Sequence, residues 1–383
     1  MDKPYKGLRV IDFTTTIAGP QCTRMLADMG ADVIKIETRD GDMMRSRPPQ
    51  RNGASTAFGQ LNAGKRSVVI DLKSAAGRQA ARRLAQTGDV LVENFRPGVM
   101  QRLGLDYESL RAESPRLIYC AISGYGQSGP SSQLPAYAPV IHAASGFDLA
   151  HLSYQDGRER PDYCGIFVAD VLSGVYAFGA IGTALHQRHQ TGCGQFIDVS
   201  MLESMLSLTL TELQAAQFSF SMPRRPMFGP VETCDGYVMV AVASEKTFVN
   251  FVQAAGQPEL VRDPRFEKYL DRRTNWPELM DLIENWSRKL TSEQCLSALE
   301  LHGVPSSPYR TVKQALDDPQ LAHRRALTPV SDLGGEFKVL NTPFRLSQAD
   351  TNAGARSPAL GEHTREVLHE IGYDSAQITE LDG

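Results

Sequence analysis

The sequence predicts an α/β fold in which a parallel sheet, covered by helices on both faces, forms a large domain, and a smaller domain follows. Apolar β-branched runs alternate with helical patterns through the first 120 residues, and right-handed crossovers turn such an alternation into a parallel sheet. The length of 383 residues exceeds what one hydrophobic core normally supports. A Pro- and Arg-rich break at residues 221–226 ends the alternating region.

Two strand–helix–strand units open the chain, and each is bounded by signals typical of its elements. Gly30 ends the first helix, and Ser74 is the expected N-cap of the second. The alternation then continues to the break. The predicted elements are strand 8–13, helix 21–29, strand 32–36, strand 67–72, helix 74–86, strand 89–93, strand 117–122, an apolar helix within 166–185, strand 195–199 and a long helix at 201–218.

We assign residues 1–220 to the large domain, 228–315 to a small α+β domain and 316–383 to a tail. The tail shows loops and short strands before a last helical pattern. The pattern alone leaves open whether the tail returns to the large domain. The predicted elements after the break are strand 237–242 and helices 276–289, 292–301 and 364–371.

Composition excludes several classes of protein. Lysine and arginine total 40 against 44 aspartate and glutamate residues, so no broad basic surface for nucleic acid is expected. The six cysteines are widely spaced, with no C-x-x-C pair, so we expect neither disulfides nor a metal centre. The first residues lack the apolar core of a secretion signal, and we expect a cytoplasmic protein.

The stretch at 166–185 is long enough to span a bilayer, and Asp170 is its one charged residue. It also contains Gly174, Gly179 and Gly182, which suit close packing against another element. A carboxylate inside a membrane is costly without a partner. We therefore expect a buried, glycine-packed core helix and no membrane span.

Residues 124–129 have the spacing G-x-G-x-x-G directly after a predicted strand. In dinucleotide-binding proteins this glycine turn opens a helix whose N-terminus faces the pyrophosphate. Here Pro130 and Pro135 interrupt that segment, so we interpret the glycines as a loop that shapes some other pocket. The chain has neither a G-x-S-x-G elbow nor a P-loop sequence, so hydrolase and nucleotide-hydrolysis chemistry lack support.

Asp170 lies among apolar neighbours that extend from Ile166 to Leu172. A lone carboxylate in such a run needs either a hydrogen-bond partner or a chemical role. One interpretation is a helix-start carboxylate bonded to backbone N–H groups. The other is a nucleophile that the helix dipole keeps ionised while apolar walls remove its water. The residue pattern alone leaves both interpretations open.

Several long segments, in a fixed order over nearly the whole chain, form a signature. They are GLRVIDF at 7–13 with AGP at 18–20, LADMGADVIKIE at 26–37 with GD at 41–42, NAGKRS at 62–67, DVLVENFRPG at 89–98, SGYGQSGP at 123–130 and LGEHT at 360–364. The chain in this respect resembles the family III CoA-transferases, the group that contains formyl-CoA transferase, carnitine CoA-transferase and the α-methylacyl-CoA racemases.

The resemblance implies a Rossmann-like large domain whose parallel sheet is formed by both chain ends, with residues 316–383 returning to it. It also implies a small domain between the two ends and an interlocked homodimer. It implies that Asp170, in the sequence VADVLSG, is the catalytic aspartate. Coenzyme A or acyl-CoA is then a substrate, and no tightly bound cofactor is expected. The residues that the resemblance assigns to CoA binding are Ala18, Arg39, Ile70, Asn94, Phe95, Arg96, Val99, Arg102 and Leu103.

The implied reaction moves CoA from an acyl-CoA thioester to a small carboxylic acid. Asp170 forms first a mixed anhydride with the donor acyl group and then an aspartyl-CoA thioester, which the acceptor carboxylate attacks. We expect backbone N–H groups of the 124–129 loop to stabilise the oxyanion.

Two alternatives stay open, an α-methylacyl-CoA racemase and a non-catalytic CoA-binding protein. Racemases have a histidine and an aspartate where this chain has Tyr137 and Ala138, which argues against two-base proton transfer. Glu245 coincides with a racemase glutamate and keeps that alternative open. Formyl-CoA:oxalate enzymes have a glutamine where this chain has Ile17, and their glycine-rich loop is missing from 230–242, so oxalate is a poor candidate acceptor.

The acceptor must be recognised by the residues around Asp170. A cationic cluster containing Arg158 and Arg160 would suit a small dicarboxylate, although these residues also fit an exposed turn. We favour a dicarboxyl-CoA such as succinyl-, mesaconyl- or itaconyl-CoA as donor and a C4–C5 dicarboxylic acid as acceptor. The candidate substrate-binding residues are Ile17, Tyr137, His142 and Glu245.

Overall fold

A six-stranded parallel sheet organises the larger part of the molecule. The computed structural model describes residues 2–155, 157–220 and 227–382. The order of the strands is β3-β2-β1-β4-β5-β6, and every neighbouring pair is parallel. The strands are β1 (Arg9–Asp12), β2 (Asp32–Glu37), β3 (Arg66–Val69), β4 (Val90–Glu93), β5 (Ile118–Ser123) and β6 (Phe196–Ser200).

Helices cover both faces of this sheet. Alternate residues of one strand point to opposite faces, so Val10 packs into a cluster with the first and eighth helices, and Ile11 packs into a cluster with the third. The helices of the chain are α1 (Ala18–Asp28), α2 (Thr56–Asn62), α3 (Ala75–Gln86), α4 (Val99–Leu103), α5 (Tyr107–Arg111), α6 (Ala138–Ala144), α7 (Phe147–Ser153), α8 (Val168–Thr191), α9 (Met201–Leu206), α10 (Leu210–Ala215), α11 (Glu245–Ala254), α12 (Tyr269–Thr274), α13 (Trp276–Ser287), α14 (Ser292–Leu301), α15 (Val312–Leu316), α16 (Pro319–His323), α17 (Thr364–Glu370) and α18 (Ser375–Asp382).

Local signals account for the boundaries of the opening helices. The Ser74 hydroxyl accepts a hydrogen bond from the Gly77 N–H at 2.9 Å, so it caps α3 as predicted. Helix α1 begins three residues earlier than predicted, at Ala18. Pro20 does not prevent this, because proline is tolerated in the first turn of a helix, where its missing N–H would have no intrahelical partner.

The long helix predicted at 201–218 is wrong, because the structure has two short helices, α9 and α10, with a break between them. Hydroxyl groups near the break bond to nearby carbonyl groups of the backbone. The Ser207 hydroxyl donates to the Ser204 carbonyl at 2.7 Å, and the Thr209 hydroxyl donates to the Leu206 carbonyl at 2.9 Å. Such local bonds favour turns over helix continuation.

Helix α8 is the predicted glycine-rich helix, and one side of it packs closely on α1. Its length and composition alone would allow it to cross a membrane, but core helices of soluble proteins pass the same test. Burial is incomplete, since Val171, Val175 and Tyr176 are exposed along one side. Only one face of the helix is therefore buried in the core.

The chain after residue 319 packs with the large domain but adds no strand to its sheet among the described residues. The prediction of a sheet formed by both chain ends is therefore wrong in this respect. Helix α17 instead contacts the edge strand β3, where the Thr364 hydroxyl accepts a hydrogen bond from the Val69 N–H at 3.0 Å. An edge strand has free N–H groups, and this side chain satisfies one of them. The tail also forms an antiparallel hairpin from the strands Leu327–Asp332 and Gly335–Leu340.

The chain divides into two compact units, the first comprising residues 1–148, 163–210 and 320–383, and the second residues 149–162 and 211–319. The predicted break at 221–226 lies outside the described residues. Segment 149–162 belongs to the second unit, which the sequence pattern did not indicate.

The strands outside the large sheet are β7 (Phe228–Thr233), β8 (Gly236–Ala241) and β9 (Ser306–Pro308), β10 (Leu327–Asp332) and β11 (Gly335–Leu340), and a two-residue pair at Gln50–Arg51 and Ala54–Ser55.

The second unit is built on an antiparallel sheet of order β9-β8-β7, packed against helices. Arg272 is fully buried in it, with its guanidinium over the Phe248 ring. Glu245 accepts a hydrogen bond from this guanidinium at 2.6 Å. Glu245 thus neutralises a buried cation of the second unit.

Candidate active site

A cavity of about 480 Å³ opens at the carboxyl ends of four strands of the parallel sheet. This is the edge at which open α/β sheets bind their ligands. The segments that follow β1, β2, β4 and β5 form much of its wall. The lining residues on these segments are Phe13, Thr14, Thr15, Thr16, Thr38, Gly41, Asp42, Met43, Asn94, Phe95, Arg96, Pro97 and Gly124, and further lining residues include Leu134, Tyr137, Asp170 and Met201.

Asp170 lies on this wall, in the first turn of α8. The backbone N–H of Ala18, at the start of α1, and the backbone N–H of Asp170 itself favour the ionised form of its carboxylate. Two helix N-termini therefore stabilise the ionised form. Burial has the larger effect and raises the pKa of Asp170 to about 6. The carboxylate is ionised at neutral pH but poorly solvated, which suits a nucleophile.

The loop from Thr14 to Thr16, which leads into α1, is held by buried polar side chains. The Lys35 ammonium donates to the Thr14 carbonyl at 2.7 Å and forms an ion pair with Asp42 at 3.0 Å. Asp42 in turn accepts a hydrogen bond from the Thr16 N–H at 3.2 Å. Thr16 has a φ of 72°, which is rare for a β-branched residue. These contacts keep the loop in a conformation that it would not adopt alone.

Asn94 and Arg96 lie side by side after β4 but have different surroundings. The Asn94 side-chain amide bonds both backbone groups of Thr15, accepting at 2.9 Å and donating at 2.8 Å. Arg96 is exposed and forms no ion pair within the described part of the chain. Asn94 thus fixes the loop, whereas Arg96 offers a free cation at the cavity.

Glu93 is a second carboxylate beside the cavity, buried at the end of β4. It accepts a hydrogen bond from the Phe95 N–H at 2.8 Å. Burial raises the pKa of Glu93 to about 8, and the charge of Asp198 contributes to the increase. Glu93 is therefore mostly protonated at neutral pH and becomes ionised under alkaline conditions.

Replacing Glu93 with glutamine is expected to stabilise the protein at alkaline pH. A carboxyl group with a raised pKa in the folded state lowers stability as pH rises from its unfolded pKa, about 4.5, to about 8. Glutamine removes this loss and can still accept the Phe95 hydrogen bond. We expect thermal unfolding midpoints to agree at pH ~4 and to be higher by about 3–6 °C in the variant at pH ~9. The control is Glu108→Gln, at an exposed ion pair, and an equal gain in that variant would contradict the prediction.

Close packing of α8 on α1 holds the Asp170 turn near Ala18. A Cβ added to Gly174 would lie 2.6 Å from the Ala18 carbonyl oxygen and 3.0 Å from Cβ of Gln21. A Cβ added to Gly179 on the same helix would meet no atom within 4 Å. Gly174 is therefore required for the approach of the two helices, and Gly179 is not.

Gly174→Ala is expected to lower the turnover number by about tenfold or more, because it displaces Ala18, whose N–H favours the ionised Asp170 carboxylate. Gly179→Ala is the matched control, and it should leave turnover unchanged and stabilise the helix by up to about 1 kcal/mol. Steady-state kinetics and thermal unfolding of both variants check this. Equal turnover in the two variants would show that the helix approach does not control the site.

Of the residues predicted for the site, six line the cavity. They are Ala18, Asn94, Phe95, Arg96, Tyr137 and Asp170. Ile17 and Ile70 are buried in the core, and Arg39, Val99, Arg102 and Leu103 lie outside the described lining. Glu245 belongs to the second unit, where it pairs with Arg272.

His142 and the proposed cationic cluster are also outside the described lining of the cavity. The His142 ring is buried and accepts a hydrogen bond from the Ala169 N–H. Arg158 is exposed and forms an ion pair with Asp162, and it lies in the second unit together with Arg160. Among the residues that the structure describes, no cluster of three metal-ligating side chains occurs.

Sequence reasoning missed the polar residues that support the cavity, notably Lys35, Asp42 and the Thr14–Thr16 loop. The pair Gly41-Asp42 and the lysine of the 26–37 segment were part of the signature, but no role was assigned to them. A lysine inside an apolar strand was the available signal, because buried charges need partners.

The fold and site together define a class of protein: an α/β enzyme with a poorly solvated carboxylate suited to nucleophilic attack. Residues 5–364 match the model of CoA-transferase family III. The chain therefore belongs to this family and is an enzyme of the CoA-transferase type.

Individual relatives resemble the chain over nearly its whole length. The succinate–glutarate CoA-transferase of Agrobacterium fabrum is 34% identical over 96% of both chains. The acetyl-CoA:oxalate CoA-transferase of Acetobacter aceti is 36% identical over 98% of this chain and 97% of its own. A solved CaiB/BaiF family protein from Brucella suis superposes with a TM-score of 0.84 at 32% identity, over 97% of this chain and all of its own.

Proposed function

We propose that this enzyme transfers CoA from a dicarboxyl-CoA, such as succinyl-CoA, to a C4 or C5 dicarboxylic acid through covalent adducts of Asp170. One observation carries the role of Asp170. It lies in the wall of the cavity, and burial raises the pKa of its carboxylate to about 6.

The reaction takes four steps in which each bond formed replaces one that breaks. The Asp170 carboxylate attacks the donor thioester, forming a mixed anhydride and releasing CoA thiolate. The thiolate attacks the aspartyl carbonyl, which gives aspartyl-CoA and free donor acid. The acceptor carboxylate attacks aspartyl-CoA and forms a second anhydride. The thiolate then attacks the acceptor carbonyl, releasing acceptor-CoA and the Asp170 carboxylate.

The Ala18 N–H is the donor that supports oxyanion stabilisation. It favours the ionised form of the Asp170 carboxylate, so it can donate to the oxygen that carries negative charge in the tetrahedral species at the aspartyl carbonyl. The start of α1 adds the positive end of its dipole. Gly124 also lines the cavity. Backbone N–H groups of the 124–129 loop are therefore proposed as further donors to the oxyanion.

The CoA moiety is proposed to bind along the segment after β4. Arg96 is an exposed cation without an ion-pair partner among the described residues, which suits a phosphate. Arg102 and Arg39 are the further candidates for phosphate binding. Phe95 offers an apolar surface for the pantetheine arm or the adenine.

The dicarboxylate substrates are supported by the name of the Agrobacterium relative, which acts on succinate and glutarate. A mass-spectrometric screen tests them, with succinyl-CoA and acetyl-CoA as donors and unbranched dicarboxylic acids of two to six carbons as acceptors. We expect CoA transfer from succinyl-CoA to the four- and five-carbon acids. Transfer to oxalate alone would contradict the proposal and favour the specificity named for the Acetobacter relative.

Two further assays separate this function from the alternatives. Hydroxylamine should trap Asp170 as a hydroxamate when acyl-CoA is present, which a non-catalytic CoA-binding protein would not give. Deuterium should not exchange into the α-carbon of a branched acyl-CoA. Exchange that matches turnover, without CoA transfer to any acid, would favour a racemase.

The rate of adduct formation is expected to rise with pH around a midpoint near 6. The nucleophile is the ionised carboxylate, and burial raises the pKa of Asp170 to about 6. The pH profile of kcat/KM for the acyl-CoA, measured from about pH 5 to 8 without hydroxylamine, checks this. A midpoint near the ordinary value for aspartate would contradict the proposed burial of the nucleophile.

We further propose an interlocked homodimer in the cytoplasm, with no tightly bound cofactor and no nucleic-acid or membrane partner. The exposed apolar side chains Val171, Val175 and Tyr176 on α8 support a dimer, since a second copy would remove them from water. Light scattering during size-exclusion chromatography tests this, and a stable monomer at micromolar concentration would contradict it.

A further inference from the structure

Helix α8 begins without a capping side chain from its own N-cap residue, Phe167. The first N–H groups of a helix have no partner within the helix and need acceptors elsewhere. The N–H of Ala169, a fully buried residue, donates to Nε2 of His142 at 3.2 Å. His142 lies on α6, so the start of α8 is capped by a residue distant in sequence.

The state of the imidazole follows from this bond. The accepting Nε2 carries no proton, so the neutral ring carries its proton on Nδ1. Nδ1 is buried and has no hydrogen-bond partner among the described residues. Burial lowers the pKa of His142, which keeps the ring neutral. An unsatisfied buried donor destabilises a fold, so stability alone does not account for this histidine.

We propose that His142 is a positioning residue for Asp170 and acts through the N–H of Ala169. The inference rests on the proposed function, in which Asp170 is the nucleophile. Asp170 follows Ala169 directly, so the bond locates the turn from which its carboxylate reaches Ala18. The Phe147 ring packs against the imidazole, with centroids 5.8 Å apart, and fixes its orientation.

Two substitutions separate the accepting atom from the rest of the ring. In His142→Gln the side-chain oxygen reaches the position of Nε2 and can accept the same hydrogen bond. In His142→Asn the shorter side chain ends near the position of Nδ1 and cannot reach Ala169. Both variants are polar and smaller than histidine, so the pair controls for burial of an amide.

Hydrogen exchange of the Ala169 amide reports on the bond itself. This amide has no acceptor within its helix, so loss of the bond to His142 should lower its protection below what burial alone provides. We expect protection in the native protein and in His142→Gln, and exchange faster by about tenfold or more in His142→Asn. Exchange resolved to single residues by fragmentation mass spectrometry measures this without any substrate.

The kinetic result distinguishes positioning from packing. We expect kcat for CoA transfer to stay within about threefold in His142→Gln and to fall about tenfold to a hundredfold in His142→Asn, with KM for the acyl-CoA nearly unchanged. Loss of Ala169 protection with unchanged kcat would overturn the inference. A large loss of kcat in a protected His142→Gln would overturn it as well. If His142→Asn does not fold, His142→Gln still tests the inference, because a large loss of kcat with a protected Ala169 amide would overturn it.

The exchange measurement separates this inference from the proposed function. If Ala169 is protected as expected but the native enzyme forms no hydroxamate with any acyl-CoA, the proposed function fails while the contact stands. If the native enzyme turns over but its Ala169 amide is unprotected, the inference about His142 fails alone.

Discussion

Replacing Asp170 with asparagine is expected to lower the rate of CoA transfer by about four orders of magnitude, because the amide cannot form either covalent adduct. The variant should also be more stable at neutral pH, with an unfolding midpoint higher by about 2–4 °C. The midpoint is expected to rise because the pKa of Asp170 is raised in the folded state, so the native protein loses stability as pH rises from the ordinary aspartate pKa to about 6. Asparagine avoids this loss.

The control for this variant is Asp170→Glu, which keeps the carboxylate but moves it by one methylene group. We expect it to retain some transfer, lowered by about a hundredfold, since displacement by about 1 Å has effects of that size. Single-turnover kinetics with hydroxylamine trapping and thermal unfolding measure both properties. If the asparagine variant kept a tenth of the native rate, Asp170 could not be the nucleophile.

Replacing Lys65 with methionine is expected to lower the free energy of unfolding by about 3–5 kcal/mol, since it leaves the buried carboxylate of Asp12 without its ion-pair partner. The Lys65 ammonium is fully buried and bonds Asp12 at 3.0 Å, the Thr23 hydroxyl at 2.7 Å and the Asn62 side chain at 2.9 Å. Burial lowers the pKa of Lys65 to about 8. Burial opposes ionisation of Asp12, but Lys65 and Lys35 hold the pKa of Asp12 below its ordinary value.

The matched control is Lys6→Met, because Lys6 pairs with Asp2 at an exposed position and such pairs contribute little to stability. Urea unfolding followed by hydrogen exchange of β1 is the suitable measurement. Both tryptophans, Trp276 and Trp286, lie in the second unit, so their fluorescence does not report on the sheet. Similar unfolding of the Lys65 and Lys6 variants would show that the buried pair is not needed for stability.

The buried ion pairs also explain why the cavity has its shape. The Lys65 ammonium donates to the carbonyl of Pro20 in the first turn of α1, and Asp12 accepts the N–H of Thr14 at 2.9 Å. The same network therefore fixes the start of α1, whose Ala18 N–H contacts Asp170. Loss of Lys65 is expected to reduce transfer as well as stability, whereas loss of Asp170 reduces transfer and raises stability.

Much of the fold could be predicted from the chain, because its signals are local. The hydrophobic pattern located the six strands of the sheet, and Ser74 marked the start of α3. The break between α9 and α10 was missed, because the hydroxyls of Ser207 and Thr209 compete with a helix that the apolar pattern alone favours. The way in which the tail attaches was not predicted, since α17 satisfies an edge strand through a single side chain.

The site could be predicted in part. Asp170 stood out as a lone carboxylate in an apolar run, and the motif order raised its interpretation to that of a nucleophile. The residues that surround it come from segments far apart in the chain, and no spacing rule relates Lys35 to Thr14 or Asp42 to Thr16.

By itself, the sequence determined the α/β class, the parallel sheet, the family and the aspartate proposed as the nucleophile, because periodicity and motifs are carried by neighbouring residues. Only the tertiary structure decided that Asp170 meets the start of a second helix at Ala18, that His142 caps its turn, and that Glu245 pairs with a buried arginine. Hydrogen bonds and desolvation act over a few ångströms in space, and distances of that kind are set by packing.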